Sequence, residues 1–474
     1  MNLNLTIDDL DNVVDMTDSY KLEHHGMELP GTDGAVAYFE ARKGAKYERT
    51  TFFGLQYLIK KYLLRPVTKA DVDKAEMLAM MHEGPDCDFD RSRWDYIVEF
   101  HGGKLPVVIE AVPEGTVVPT DNVLLQIFSL DPKCHWLGNH LETIITHVWA
   151  GSTIATHSRE VKEFLKKELD ITCNDGANFG GLPFMLHDFG MRGVSSLESA
   201  GVGGLSHLIN FQGTDTIIAL KYAIVFYGAT TAVGYSVKAT EHSIMTQRGA
   251  EHEREVVQYL LKKYNKGILS MVADSYDYKR FVEQIIGKEF KQLVLDREGK
   301  LVVRPDSGDP LELMPWTLNS LGESFGFTVN KKGYKVLNPK VGVIWGDGID
   351  FAMLKQIVQV CREAGWSTEN LVFGMGGGLL QKVNRDVQRF AFKACAKRYN
   401  GIWNDVWKDP TDKSKISKRG IQKLVKVDGA YKTVRADDPA YASLPNEMKK
   451  VYDTGALLID YTFDQVRENT AKSL

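Results

Sequence analysis

Between residues 151 and 390 one hydrophobic pattern recurs. A short apolar, often β-branched run breaks off into Asp, Arg or Gly, and amphipathic stretches separate several of the runs. The breaks fall at residues 186–193, 210–215, 234–237, 272–277, 304–308, 344–348 and 373–378. Continuous apolar runs bounded by turn residues read as buried parallel strands, and helical spacing between them reads as crossovers. Residues 251–264 and 351–363 carry that helical spacing, the second with Asp350 placed as N-cap. Ser158 is placed to cap another helix, whose apolar face is Val161, Phe164, Leu165 and Leu169. Seven strand ends at roughly even intervals predict a β/α barrel with its active site on the loops that follow the strands. A doubly wound sheet is the alternative.

The flanks are patterned differently. In residues 51–64, Phe53, Leu55, Leu58, Ile59 and Tyr62 follow helical spacing opposite Lys60 and Lys61. Residues 107–109 and 123–127 are β-rich runs separated by Pro113-Glu114-Gly115, and 136–150 is a long apolar helix candidate. This mixture predicts an α+β layer. From 381 the chain turns basic and short β-like pieces follow. The expected organisation is an α+β domain from residues 1–150, a barrel from 151–390, and a C-terminal segment, 391–474, packing with the N-terminal part.

Composition narrows the class. A chain of 474 residues exceeds one small core, and 43% hydrophobic with 25% charged residues is ordinary for a soluble globular protein. A net charge of −4 gives no pull toward nucleic acid or anionic membrane. The first residues lack a basic and apolar leader, and nothing approaches the roughly 20 apolar residues of a membrane span. The five cysteines are scattered without CxxC spacing, which fits a reduced, cytoplasmic protein without structural zinc.

The strand ends carry the candidate chemistry. In Arg304-Pro305-Asp306-Ser307-Gly308 the guanidinium is a planar fork for phosphate and the carboxylate can hold a hydroxyl; the competing reading is a tight turn closed by an Arg304–Asp306 ion pair. Glycines 374 and 376–378, ahead of Lys382 and Arg385, can present backbone N–H groups to a phosphate. They match neither the dinucleotide-binding nor the P-loop fingerprint, and a tight turn is the alternative. His242, beside Glu241, can serve as base, phosphate ligand or nucleophile, or form a structural pair. Asp188, Asp215, Asp274, Asp277, Asp306 and Asp347 all fall at strand ends, where caps and turns are the usual role. So many carboxylates on one rim need compensating charges, and Arg192 and Arg304 are the candidates. Phe189 and Tyr20 can stack on a flat heterocycle. A rim of arginines, carboxylates and glycine loops fits a substrate with phosphates and a sugar.

Seven motifs in order carry a resemblance: Thr17-Asp18-Ser19-Tyr20-Lys21, Tyr38-Phe39-Glu40-Ala41-Arg42, the stretch 186–193, Gly213-Thr214-Asp215, the stretch 304–308, Gly346-Asp347-Gly348 and the stretch 376–382. Together they resemble the nicotinamide phosphoribosyltransferases, type II phosphoribosyltransferases with an irregular α/β barrel and an α+β domain. The resemblance implies a homodimer with shared active sites. It implies that Phe189 stacks on one face of nicotinamide and Tyr20 of the partner subunit on the other, while Asp215 accepts from the carboxamide. It implies that Arg192, His242 and Arg304 hold the diphosphate of phosphoribosyl pyrophosphate, that Asp306, Gly346 and Asp347 hold the ribose, and that Gly377 with Arg385 holds the 5′-phosphate. Ser236, Asp277, Gly376 and Lys393 complete the expected substrate set, with a further lysine at 413 or 415. Phosphorylation of His242 by ATP and a requirement for Mg²⁺ belong to the same expectation; the metal's ligands are not assigned. Ala273, Met191 and Met375 depart from the family's usual serine, tyrosine and serine. The rival readings are a nicotinate phosphoribosyltransferase and a catalytically silent nucleotide-binding regulator.

Overall fold

The computed structural model describes residues 4–84, 86–411 and 415–472. Two compact units make up the chain, one from residues 1–156, 223–229 and 383–474, the other from 157–222 and 230–382. The boundaries thus fall at 156/157 and 382/383, against the expected 150/151 and 390/391, and residues 223–229 go with the first unit.

The first unit is built on a seven-stranded sheet, all of whose pairings are antiparallel. The long strand Thr32–Ala41 lies between Asn122–Ser129 and Phe390–Tyr399. Phe39 stacks on Phe390 with ring centroids 5.0 Å apart, which joins the start of the chain to its C-terminal segment.

The second unit is the barrel. Its strands are β1 (Leu186–Asp188), β2 (Gly213–Thr214), β3 (Lys238–Ala239), β4 (Leu269–Val272), β5 (Leu301–Arg304), β6 (Val341–Trp345) and β7 (Leu371–Met375). All neighbours are parallel, in the order β2-β1-β7-β6-β5-β4-β3. Gly213 of β2 also forms a parallel bridge with Tyr235, just before β3, where Tyr235 N–H donates to Gln212 O at 2.7 Å and Thr214 N–H to Tyr235 O at 2.9 Å. The edges meet, so the strands run round a ring in chain order. A doubly wound sheet would reverse that order. Strands β4 and β6 are buried at every position, as a parallel sheet covered on both faces requires.

Local expectations fared unevenly. Asp350 caps Phe351–Glu363 as expected, accepting from Met353 N–H at 3.0 Å. Ser158 is no cap: it lies inside the continuous helix Val148–Thr172, with its hydroxyl 2.9 Å from Nδ1 of His207. The helix tolerates its Ser and Thr residues because Thr153 and Thr156 return their hydroxyls to carbonyls four residues back, at 2.6 Å each. The apolar stretch 136–150 splits at His147 into Leu137–Thr146 and the start of that helix. The break expected at 234–237 precedes β3, with Tyr235 as the bridging residue.

Candidate active site

Parallel strands put their C-terminal ends on one rim, and most expected site residues follow those ends. Phe189 continues β1, Asp215 follows β2, Ser236 lies between the Tyr235 bridge and β3, His242 follows β3, and Asp306 follows β5. Gly346 and Asp347 follow β6, and Gly376 and Gly377 follow β7.

One half of the rim suits a flat ring. The Phe189 ring lies over the backbone of Gly374 and Gly346; a Cβ on Gly374 would come within 1.9 Å of the ring, and one on Gly346 within 3.1 Å. Position 374 in β7 must therefore be glycine, and Gly346, just after β6, leaves the ring the room it needs. Phe189 is only half-buried, so a face remains open. Exposed Asp215 accepts a 2.5 Å hydrogen bond from Ser236 on Oδ1, and its other oxygen has no partner among the described residues. His187 packs beside Phe189, and burial holds its imidazole below the usual range while Asp215 pulls the other way.

Beneath this half lies Asp188, 0% exposed. Its Oδ1 accepts from Gly190 N–H at 2.7 Å and its Oδ2 from the Thr214 hydroxyl at 3.2 Å. Burial pushes its carboxyl above the usual carboxylate range against the pull of these donors.

The other half suits anions. The Arg304 guanidinium donates to the Thr240 carbonyl at 3.2 Å, and its Nε is buried without a partner. No carboxylate pairs with it among the described residues, so the ion-paired turn is not what the chain forms. Asp306 instead points to the histidine: its Oδ2 lies 3.9 Å from Nδ1 of His242. Nε2 of His242 lies 3.2 Å from Oδ1 of Asp274. An ionised carboxylate only accepts, so this contact favours the tautomer with its proton on Nε2. Oδ2 of Asp274 accepts from Asp306 N–H at 3.1 Å and from the Ser307 hydroxyl, so one carboxylate, 8% exposed, ties the β3, β4 and β5 loops together. Arg192 is exposed and has no hydrogen-bond or ion-pair partner among the described residues.

The rest of the expected set is divided. Asp277 caps the turn Tyr278–Arg280, accepting from Arg280 N–H at 2.9 Å. The helix after the glycine loop is one turn only, Gly377–Leu380, because helical glycine costs about 1 kcal/mol relative to alanine. Its dipole is correspondingly small, and the half-buried backbone at Gly377, where a Cβ would meet nothing within 4 Å, is the feature that suits a phosphate. Tyr20, Arg385 and Lys393 belong to the first unit. Tyr20 is 61% exposed, Arg385 is exposed, and Lys393 is half-buried, with burial holding its ammonium below the usual range. Lys415 is exposed, and Lys413 lies outside the described residues.

The model of the nicotinate phosphoribosyltransferase (NAPRTase) family matches residues 184–456, and that of the nicotinamide phosphoribosyltransferase N-terminal domain matches residues 12–109. A relative named nicotinamide phosphoribosyltransferase from Xanthomonas campestris pv. campestris (strain 8004) is 44% identical over 465 residues, spanning 97% of this chain and 98% of its own. The chain belongs to the nicotinamide phosphoribosyltransferase family. A second member, from Acinetobacter baylyi (strain ATCC 33305 / BD413 / ADP1), is 31% identical and spans 98% of both chains. The fold recurs in a nicotinate-nucleotide pyrophosphorylase from Pyrococcus furiosus, with a TM-score of 0.60 at 15% identity over 100% of this chain and 97% of the other. It recurs also in human nicotinic acid phosphoribosyltransferase, with a TM-score of 0.55 at 15% identity over 96% and 93%. These are type II phosphoribosyltransferase folds, as expected.

Within this nicotinamide phosphoribosyltransferase family member, the sequence reading passed over three residues that organise the rim: Asp188, Thr240 and Asp274. Asp188 and Asp274 stood among the strand-end carboxylates. Asp277 was preferred over Asp274, three positions earlier, because cap and rim residues are of the same type. Thr240 offers a backbone carbonyl, which no side-chain motif marks.

Proposed function

We propose that the chain transfers the phosphoribosyl group of phosphoribosyl pyrophosphate to nicotinamide, giving nicotinamide mononucleotide and pyrophosphate in NAD salvage. The observation that carries this reading is Arg304: a guanidinium half-buried at the rim, its Nε without a partner, two residues from a carboxylate that turns to His242 instead. A half-buried cation without a counter-ion is costly, and an anionic diphosphate is the partner that offsets it. Arg192 adds a second free guanidinium for the same group.

The pyridine lies on Phe189, with its carboxamide toward Asp215. The free carboxylate oxygen accepts from an NH₂ group, whereas a nicotinate carboxylate there meets like charge. The pyridine nitrogen displaces pyrophosphate at the anomeric carbon; positive charge grows on the ribose as negative charge grows on the leaving group. Asp306 and Asp347 face the first and the arginines the second. Mg²⁺ binds through one or two carboxylates plus substrate phosphates; Asp306 would be one such ligand, and the ion would neutralise charge on the departing pyrophosphate. ATP phosphorylates His242 in this reading, on the nitrogen that Asp274 leaves free. Backbone around Gly376 and Gly377 takes the 5′-phosphate. The working enzyme is a cytoplasmic homodimer, in which Tyr20 of the partner subunit covers the pyridine; Arg385 and Lys393 serve the substrate's phosphates.

Initial rates with phosphoribosyl pyrophosphate and either pyridine test the reading. Nicotinamide is expected to be the preferred acceptor, and Asp215→Asn is expected to narrow its lead over nicotinate. Equal use of both by the native enzyme, or an unaltered preference in the variant, overturns the assignment.

A further inference from the structure

A fully buried carboxylate satisfied by neutral donors alone calls for an explanation. Desolvating a charge costs several kcal/mol, and a residue at the end of a strand could as well be Thr or Asn. Asp188 has no cation among its hydrogen-bond partners; it takes Gly190 N–H on one oxygen and the Thr214 hydroxyl on the other, with the Thr216 side chain also favouring its charged form. Those two donors belong to different loops. Gly190 follows Phe189 directly, and Thr214 precedes Asp215 directly.

The bonds continue beyond the carboxylate. Thr216 N–H donates to the Thr214 oxygen at 3.0 Å, and Asp215 N–H donates to the Asp188 carbonyl at 2.9 Å. Asp215 is thus held on both sides by a chain that begins at Asp188. On the other loop, Phe189 N–H is held by the Met375 carbonyl at 3.0 Å, and Gly193 N–H closes the turn on the Gly190 carbonyl at 2.9 Å. The carboxylate is admitted because Gly204 lies beside it, where a Cβ would come within 3.0 Å of Oδ2.

We propose that Asp188 is the positioning residue of the pyridine subsite, fixing the ring-stacking face of Phe189 against the hydrogen-bonding edge of Asp215. The proposal rests on the function inferred above and names the residue that makes its acceptor site rigid. Phe189 and Asp215 touch different parts of a bound pyridine, its face and its substituent, so an error in the spacing between them weakens both contacts at once. Asp188 touches neither the ribose nor the diphosphate side, which Asp274 organises separately. Through Thr214 its influence falls on the pyridine side alone, whereas through Gly190 it also reaches the turn that carries Arg192.

Thr214→Val removes the link to Asp188 while leaving the carboxylate and the volume nearly unchanged, and Thr214→Ser keeps the hydroxyl. The expected result for Thr214→Val is a rise of about 10- to 100-fold in KM for the pyridine, with KM for phosphoribosyl pyrophosphate within about twofold of native. Thr214→Ser is expected to restore the native value, and Asp188→Asn to reproduce the Val defect where it folds. Unchanged pyridine KM in Thr214→Val overturns the proposal. So does a parallel rise in both KM values, which marks general loosening of the barrel, or failure of Thr214→Ser to rescue. An enzyme that turns over nicotinate rather than nicotinamide overturns the acceptor assignment, while the positioning role is read in the same assay on nicotinate.

Discussion

At Arg304 the neighbouring residues argue for an ion pair with Asp306, and geometry directs the two side chains apart: the guanidinium to the Thr240 carbonyl, the carboxylate toward His242. Charge alone does not reproduce what that guanidinium offers. Lysine keeps the charge but loses the planar fork, so Arg304→Lys is expected to raise KM for phosphoribosyl pyrophosphate by about tenfold, leaving KM for nicotinamide close to native. Steady-state kinetics with each substrate varied would expose an error, since an unchanged value for phosphoribosyl pyrophosphate removes Arg304 from the diphosphate site. His242 is judged by a different readout. Its ring is 46% exposed and held through Nε2, which suits transfer of a phosphoryl group to Nδ1 better than a buried structural role. Replacement by Ala is expected to abolish stimulation by ATP while slow basal turnover continues; stimulation that persists in His242→Ala would falsify the phosphohistidine step. The residue types at these positions were legible in sequence. Their partners were not, because Asp274 reaches His242 across 32 residues and only the parallel pairing of β3 with β4 brings them side by side.

Among the elements, β7 shows how a strand can be specified by what lies on it. Gly374 breaks an apolar run, which read as phosphate-loop chemistry, yet the glycine is needed because Phe189 occupies the space a side chain would take. Gly374→Ala therefore forces the ring aside. The expected outcome is a nicotinamide KM raised by about tenfold or more with little change in thermal stability, since the displaced ring is half-open to solvent. A calorimetric scan beside the kinetics distinguishes this from collapse of the strand. The helix Phe351–Glu363 was fully legible: its apolar spacing and Asp350 cap are local signals. Ser158 was not. A serine before an apolar face looks the same at a helix start as in its interior, and burial against His207 decided the matter.

At the scale of the whole molecule, one buried carboxylate ties stability to pH. In the first unit Glu114 is buried, with one carboxylate oxygen taking Gln56 N–H at 2.7 Å and the other the Tyr227 hydroxyl at 2.6 Å. Burial pushes its carboxyl up to about 7, against hydrogen bonds that favour the charged form. The native state therefore holds a proton that the unfolded chain has released above its ordinary carboxylate range. The associated stability is fully present below about pH 4.5 and is lost as pH rises toward 7, amounting to about 3 kcal/mol. Glu114→Gln keeps a hydrogen-bonding group and removes the titration. Denaturant unfolding from pH 5 to 8 is expected to show the native protein losing stability relative to the variant across that range; parallel curves would refute the assignment. No helix among the described residues is long and apolar enough to cross a membrane, and the five cysteines are all free.

The sequence by itself determined the rhythm of seven strand ends, the residue types on the rim, the Asp350 cap and the family motifs, because each is written in neighbouring positions and needs only local propensity. Tertiary structure decided everything that depends on which distant positions meet. It closed the ring through the Tyr235 bridge and turned Asp306 away from Arg304. It put Asp188 beneath two loops and made Asp274 rather than the adjacent Glu241 the partner of His242. The physical reason is the same in each case. A carboxylate at a strand end has equal intrinsic reason to cap a turn, pair with a cation or orient a histidine, and strand order and burial select among them.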